Sequence, residues 1–314
     1  MSVEPDHPAD ICLIRLSSIG DVCNVVPAVL AIQERYPEAR LTWIVGSVEA
    51  GLVGDLPGVE FQVIDKDEGL AGILALRRRL RGRRFDVLLN MQVSLRASLV
   101  SLAVRSRRRF GFDRDRAREG HGLFCNRRVE AQRHAHVVDG FMAFARAIGA
   151  PGSPSRRPIP IDERDRRWAE ETLGEGGPVL AIVPAASAAE RNWTVAGYAS
   201  VADHAAARGF RVVLLGGPDP DERRLAERVA SSMRAQPLNL VGKTSLKQLL
   251  AVVSRSAMML APDTGPVHLA VRAGVPVIGL YCHSNPRRTG PYESGEWVVN
   301  HYDRIVEQQH GKPW

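Results

Sequence analysis

Two short stretches of the chain carry residue types that could do chemistry. At 15–22 the sequence reads R-L-S-S-I-G-D-V, which puts the carboxylate of Asp21 directly after a turn-forming glycine. A carboxylate in that place can take a proton from a substrate hydroxyl. It can equally cap the helix that follows and favour its dipole. At 263–268 the sequence is D-T-G-P-V-H, where an apolar run meets a turn that leads straight into a helix. Thr264 or Gly265 can cap that helix and Pro266 suits its first turn. Gly265 lets backbone approach a ligand, and the free N–H groups with the positive helix end suit an anion such as a diphosphate. His268 can donate to a phosphate oxygen, and Asp263 can take a sugar hydroxyl or orient the loop. An ordinary capped helix entry accounts for the same residues.

Other positions are weaker. In P-A-A-S-A-A-E-R-N-W (184–193) Arg191 offers a fixed cation to a leaving phosphate, or is a surface arginine. In G-K-T-S-L (242–246) the loop can touch a nucleotide base, or Ser245 simply caps a helix. Asp219, Asp221 and Glu222 have no histidine near them and read as solvent-facing acids. The four cysteines, at 12, 23, 125 and 282, form no C-x-x-C pair. They read as reduced cytosolic thiols, and no metal site is expected. Neither G-x-G-x-x-G nor G-x-x-x-x-G-K-[ST] occurs, which disfavours dinucleotide oxidoreductases and P-loop NTPases.

These motifs need elements to hold them. Ile11 to Leu16 reads as a strand, a helix runs to about Arg35, and Leu41 to Val45 reads as the next strand. Further strands are expected at 61–64 and 87–90, with a helix over 72–80. After a proline-rich linker at 150–160 the pattern resumes, with a helix at 162–173 and strands at 179–183, 211–215, 257–261 and 275–281. Alternating β and α elements imply parallel sheets. The expected fold class is therefore α/β, as two doubly wound Rossmann-like domains facing across a cleft, 1–155 and 156–314, with a C-terminal tail that packs back on the first domain. Ligands bind at the strand ends of such sheets.

The 314 residues are 45% hydrophobic and 25% charged, a globular composition that argues against disorder or a disulfide-stapled scaffold. No signal peptide or membrane span is expected. The net charge of +7 is concentrated N-terminally, because 77–128 holds 16 arginines against four acidic residues. Such a belt suits phosphates and carboxylates of an anionic partner, such as a phosphorylated glycolipid or an anionic membrane surface, or it is a solvated face. Few aromatics and a nearly neutral second half argue against nucleic acid.

Taken together, S-S-I-G-D at 17–21, R-N-W at 191–193, G-K-T-S-L at 242–246 and D-T-G-P-V-H-L-A at 263–270 resemble glycosyltransferase family 9, the ADP-heptose:lipopolysaccharide heptosyltransferases. The resemblance implies a GT-B fold and metal-independent, inverting transfer of heptose from ADP-heptose to a lipopolysaccharide inner-core acceptor, with no cofactor. It implies Asp21 as general base. Donor contacts would come from Arg191 (where lysine is common), Thr244 at the adenine pocket, Asp263, Thr264, Gly265 and His268. Acceptor contacts would come from Ser18, Gly20, Gln92, Arg96 and Arg118. At 187–188, Ser187 and Ala188 leave one hydroxyl fewer than the loop often carries. It also implies a cytoplasmic enzyme with peripheral contact on the inner face of the cytoplasmic membrane. A GT-B transferase or epimerase using another nucleotide sugar, and a non-catalytic nucleotide-sugar binder, stand as alternatives.

Overall fold

The computed structural model describes residues 7–132, 136–292 and 294–311. The chain divides into two compact units, Met1–Arg157 and Pro158–Trp314. In the first, the elements run β1 (Asp10–Ile14), α1 (Ile19–Arg35), β2 (Arg40–Gly46), α2 (Ser47–Val53), β3 (Val59–Ile64), α3 (Gly69–Arg79), β4 (Phe85–Asn90), α4 (Leu95–Ser101), β5 (Ser106–Gly111), β6 (Arg127–Arg128) and α5 (Val137–Ala147). Among the described residues they form a six-stranded parallel sheet in the order β3-β2-β1-β4-β5-β6. The strand order reverses between β1 and β4. Loops after these two strands therefore diverge to opposite faces and leave a crevice at their carboxyl ends.

The second unit repeats the plan with α6 (Glu163–Leu173), β7 (Val179–Ile182), α7 (Val195–Ala206), β8 (Arg211–Leu214), α8 (Pro220–Ser232), β9 (Leu238–Asn239), α9 (Leu246–Ser254), β10 (Met258–Pro262), α10 (Gly265–Ala273), β11 (Val277–Tyr281), α11 (Pro286–Thr289), β12 (Val298–Asn300) and α12 (Tyr302–His310). Its described strands also form a six-stranded parallel sheet, ordered β12-β11-β10-β7-β8-β9. Here the reversal falls between β7 and β10. The central strands are near-continuous apolar runs because helices cover both faces. Ile11, Leu13, Val87 and Leu89 are buried, as are Ala181, Met259 and Ala261.

Four of the described strands, β5, β6, β9 and β12, lie outside those expected from the sequence. S-R-R-R-F-G reads as a charged run, yet it forms β5 beside β4. Arg109 makes this possible by turning inward and donating to the carbonyls of Ser101, Val104 and Phe124, each at 2.9 Å. A guanidinium with carbonyl partners on all sides can line a sheet at small cost. The arginine belt is thus partly structural. Arg83 holds Glu60 and Asp10, Arg116 holds Asp113, and Arg79 donates to the Val63 carbonyl. Among the described residues no helix is long and apolar enough to cross a membrane.

Candidate active site

In the first unit the chain leaves β1 as Arg15, turns through Ser17 and Ser18, and enters α1 with Asp21 in the first turn. β4 leaves beside it as Met91 and Gln92. The topology alone therefore carries Asp21 and Gln92 to the same crevice. Gln92 ties the two loops together, its Oε1 accepting from the backbone N–H of Leu16 at 2.7 Å and of Ser17 at 3.4 Å, while Nε2 donates to Ser17 Oγ at 3.4 Å.

Asp21 is held on one side only. Arg15 forms an ion pair with Asp21 Oδ2, and Ser18 Oγ donates to the same oxygen at 3.3 Å. Among the described residues Oδ1 accepts no hydrogen bond. Arg15 is fixed in turn by donating to the Met91 carbonyl at 2.8 Å and by lying 5.3 Å from the centre of the Phe141 ring. Burial pulls its pKa down and Asp21 pulls it back up. Ser18 is the N-cap of α1, but its hydroxyl goes to Asp21 and not to the helix backbone. The structure thus adds Arg15 to the site. Its signal in the sequence was a lone arginine ending an otherwise apolar strand.

A second carboxylate lies close by. Glu49, in the first turn of α2, is buried, and burial pushes its pKa up while Arg96, Arg15 and Lys66 pull it down. Gly46 makes room for it: a Cβ there would stand 2.5 Å from both Glu49 Oε2 and the Leu16 carbonyl oxygen. Arg96 enters this group from the first turn of α4. Arg118 is not brought to Asp21 by any contact among the described residues. Its Nη1 donates to the carbonyls of Asp115 and Ala117, at 2.7 and 3.1 Å. It lines an open recess of about 460 Å³ with Arg114, Arg128 and His121. The adjacent Glu119 accepts from the Leu95 N–H at 2.7 Å, which moors that loop to the start of α4 next to Arg96.

The second unit gathers its residues at the corresponding crevice. Asp263 follows β10 and Arg191 lies in the loop after β7, with Nη1 3.5 Å from Asp263 Oδ2. Thr289 Oγ1 lies 3.5 Å from the same oxygen, a contact from the tail that the sequence did not suggest. Tyr281 donates to the Thr289 carbonyl at 3.1 Å, and burial with the nearby Asp263 charge pushes its phenol pKa up, so it stays protonated. Thr264 caps α10 in extended conformation, and no bond to the helix engages its hydroxyl. Elsewhere Ser94, Asp162, Thr194 and Asp219 spend their side chains on capping. Gly265 opens α10, and His268 is buried in its first turn. Thr244 lies apart, in the loop after β9, three strands along from β10. Its neighbour Ser245 forms a capping box with Gln248. Asp219 caps α8, Glu222 accepts from the Gly217 N–H at 2.6 Å, and Asp221 pairs with Arg224. Among the described residues no three His, Cys, Asp or Glu side chains are grouped to hold a metal ion.

Known proteins share this fold. The structure of a family 9 glycosyl transferase from Veillonella parvula superposes with a TM-score of 0.85 at 22% identity, covering 99% of this chain and 91% of that one. That of the Escherichia coli heptosyltransferase WaaC with ADP gives a TM-score of 0.75 at 23% identity, covering 92% of each chain. The fold is that of the GT-B heptosyltransferases. In sequence, the chain is 40% identical to the lipopolysaccharide core heptosyltransferase OpsX of Haemophilus influenzae over 313 residues, all of this chain and 90% of the relative. It is 25% identical to lipopolysaccharide heptosyltransferase 1 of Pseudomonas aeruginosa, over 90% of this chain and 81% of that one. Residues 73–312 match the family model described as glycosyltransferase family 9 (heptosyltransferase). With two doubly wound units, a carboxylate at one switch point and a D-T-G-P-V-H helix entry at the other, this chain belongs to glycosyltransferase family 9 and is a glycosyltransferase.

Proposed function

We propose that the chain moves a heptose from ADP-heptose to an anionic acceptor of the lipopolysaccharide inner core, with inversion and without a metal ion. The observation that carries this reading is the one-sided hold on Asp21: Oδ2 is occupied by Arg15 and Ser18, and Oδ1 is left for a substrate. The names of the Haemophilus and Pseudomonas relatives support the sugar and the acceptor. The ADP in the Escherichia coli structure supports the nucleotide.

In this reading the acceptor hydroxyl donates its hydrogen bond to Asp21 Oδ1. Its oxygen attacks the anomeric carbon of the heptose from the face opposite the diphosphate. The new C–O bond forms as the bond from the anomeric carbon to the β-phosphate oxygen breaks; the electron pair leaves with ADP, and the proton ends on Asp21. General-base assistance of this kind is worth roughly 10²–10⁴ in rate. Charge on the departing diphosphate is met by Arg191, the Thr264 hydroxyl, His268 and the N-terminus of α10. Asp263 receives sugar hydroxyls, and Thr244 lies toward the adenine. Ser18, Gly20, Gln92, Arg96 and Arg118 bind the acceptor. The enzyme then works in the cytoplasm, in peripheral contact with the inner face of the membrane.

A thermal-shift panel of ADP, UDP, GDP and CDP tests the donor assignment, since a ligand that binds only the folded state raises its stability. ADP is expected to give the largest shift, and ADP-heptose to support transfer to an inner-core acceptor. A larger shift with UDP, or turnover only with another nucleotide sugar, would overturn it.

A further inference from the structure

α3 and α4 cover the same face of the first sheet. Ile73, Leu76 and Leu80 pack with Ala97, Val100 and Val104 over Ile44, Phe85 and Leu88. An exposed helix face opposite such a core is ordinarily polar. That of α3 begins with leucines: Leu70 is 72% exposed and Leu74 is 53% exposed. Four residues apart, they share one stripe. The stripe continues into the exposed Arg77 and Arg78 of the last turn and Arg81 just beyond it. α4 adds Leu95 in its first turn, 52% exposed.

The charge on this stripe is not neutralised. From 69 to 84 the chain has six arginines and no acidic residue. Arg79 and Arg83 are used within the unit, as described above, whereas the side chains of Arg77, Arg78, Arg81 and Arg84 form no hydrogen bond or ion pair among the described residues. Because α3 and α4 follow parallel strands β3 and β4, Leu70 and Leu95 lie at the carboxyl end of the sheet. Asp21 and Gln92 are at that same end.

We propose that the outward stripe of α3, Leu70, Leu74, Arg77, Arg78 and Arg81 together with Leu95, docks on an anionic lipid bilayer. The leucines enter the acyl boundary, while the arginine stems lie along it and their guanidinium groups reach lipid phosphates. An outward helix ridge without a groove suits a deformable lipid surface better than a structured protein partner. Docked in this way, the end of the sheet that holds Asp21 stands beside the headgroups. The proposal specifies the membrane contact of the functional reading above but needs none of its sugar chemistry.

The test is flotation of the full chain, without substrates, on phosphatidylcholine vesicles with and without about one-third phosphatidylglycerol. Binding is expected to be at least about fivefold greater on the anionic vesicles and to fall with salt. Leu70→Ser/Leu74→Ser and Arg77→Ala/Arg78→Ala should each lower it about tenfold. Arg164→Ala/Arg167→Ala, which removes the same charge from α6, should leave it unchanged. The substituted side chains are exposed, so unchanged circular dichroism and thermal midpoints should accompany the loss. Heptosyl transfer to a delipidated acceptor should stay at the wild-type rate in the leucine variant, so failed docking and failed transfer read out separately. Failure of the wild type to float with anionic vesicles, or equal binding by wild type and the leucine variant, would overturn the proposal. The first result would leave a protein partner as the occupant of the stripe.

Discussion

The guanidinium of Arg15 and the carboxylate of Asp21 meet through a single oxygen, Oδ2, at the point where the first sheet reverses its strand order. Arg15 is itself pinned by the Met91 carbonyl and the Phe141 ring, so it acts as a fixed mount for the carboxylate. Asp21 is a third exposed and Arg15 largely buried, so one carboxylate oxygen is positioned while the other stays accessible.

Arg15→Met should therefore lower kcat roughly 100-fold, the usual cost of misplacing a reacting group by a small distance. Arg15→Lys should be milder, because an ammonium keeps the charge but cannot reproduce the planar fork that reaches both Asp21 and Met91. In both variants the dissociation constant for ADP, measured by calorimetry, should be unchanged. A rise in that constant equal to the fall in kcat/KM would show that Arg15 serves the donor or the fold.

The acceptor assignment is tested at Arg96 and Arg118. A charge-assisted contact with a phosphate or carboxylate is worth about 1.5–3 kcal/mol. Replacing either by alanine should raise the acceptor KM roughly 10- to 100-fold and flatten its salt dependence, with donor KM unchanged. Unaltered acceptor kinetics at low salt would leave Arg96 a partner of Glu49 and Arg118 a tie within its own loop, with no part in acceptor binding.

Chelation probes the charge on the leaving group. If Arg191 and the start of α10 neutralise the departing diphosphate, kcat should be the same in EDTA as in magnesium or manganese. Activity that EDTA abolishes and a divalent ion restores would contradict that assignment.

Stability should depend on His121. Its Nε2 accepts from the Phe112 N–H at 3.2 Å, and burial, with the Arg128 charge, lowers its pKa from the ordinary 6.5. The folded state thus resists a proton that the unfolded chain accepts, and the unfolded state binds more protons as pH falls below 6.5. The thermal midpoint should fall as pH drops through that value toward the depressed folded pKa. His121→Gln, which retains an acceptor but does not titrate, should flatten this part of the profile. An identical slope in the variant would assign the pH dependence to other groups.

Much of this was legible in the sequence because the signals were local. The apolar run from Ile11 to Leu16, the turn before Asp21 and the D-T-G-P entry at 263 each declare a strand end or a helix start from adjacent residues. Doubly wound topology then dictates that the loops after β1 and β4, and after β7 and β10, flank one crevice in each unit. What could not be read depended on distant partners. Arg109 looks like one more charge in a basic run until the carbonyls of Ser101, Val104 and Phe124 surround it. Thr289 reaches Asp263 only because β10 and β11 are neighbours. Glu49 joins Arg96 because Gly46 leaves it room, a relation that no spacing encodes.

The most direct test of the central claim is single-turnover transfer by Asp21→Asn, with ADP affinity measured on the same preparation. The amide keeps the size of the carboxylate and can still accept at one oxygen, but it cannot take a proton. Transfer is expected to fall by roughly 10²–10⁴ while the ADP dissociation constant stays within a few-fold of wild type. Turnover near the wild-type rate would remove Asp21 as the base and leave the Arg15–Asp21 pair a structural mount with no part in the chemistry.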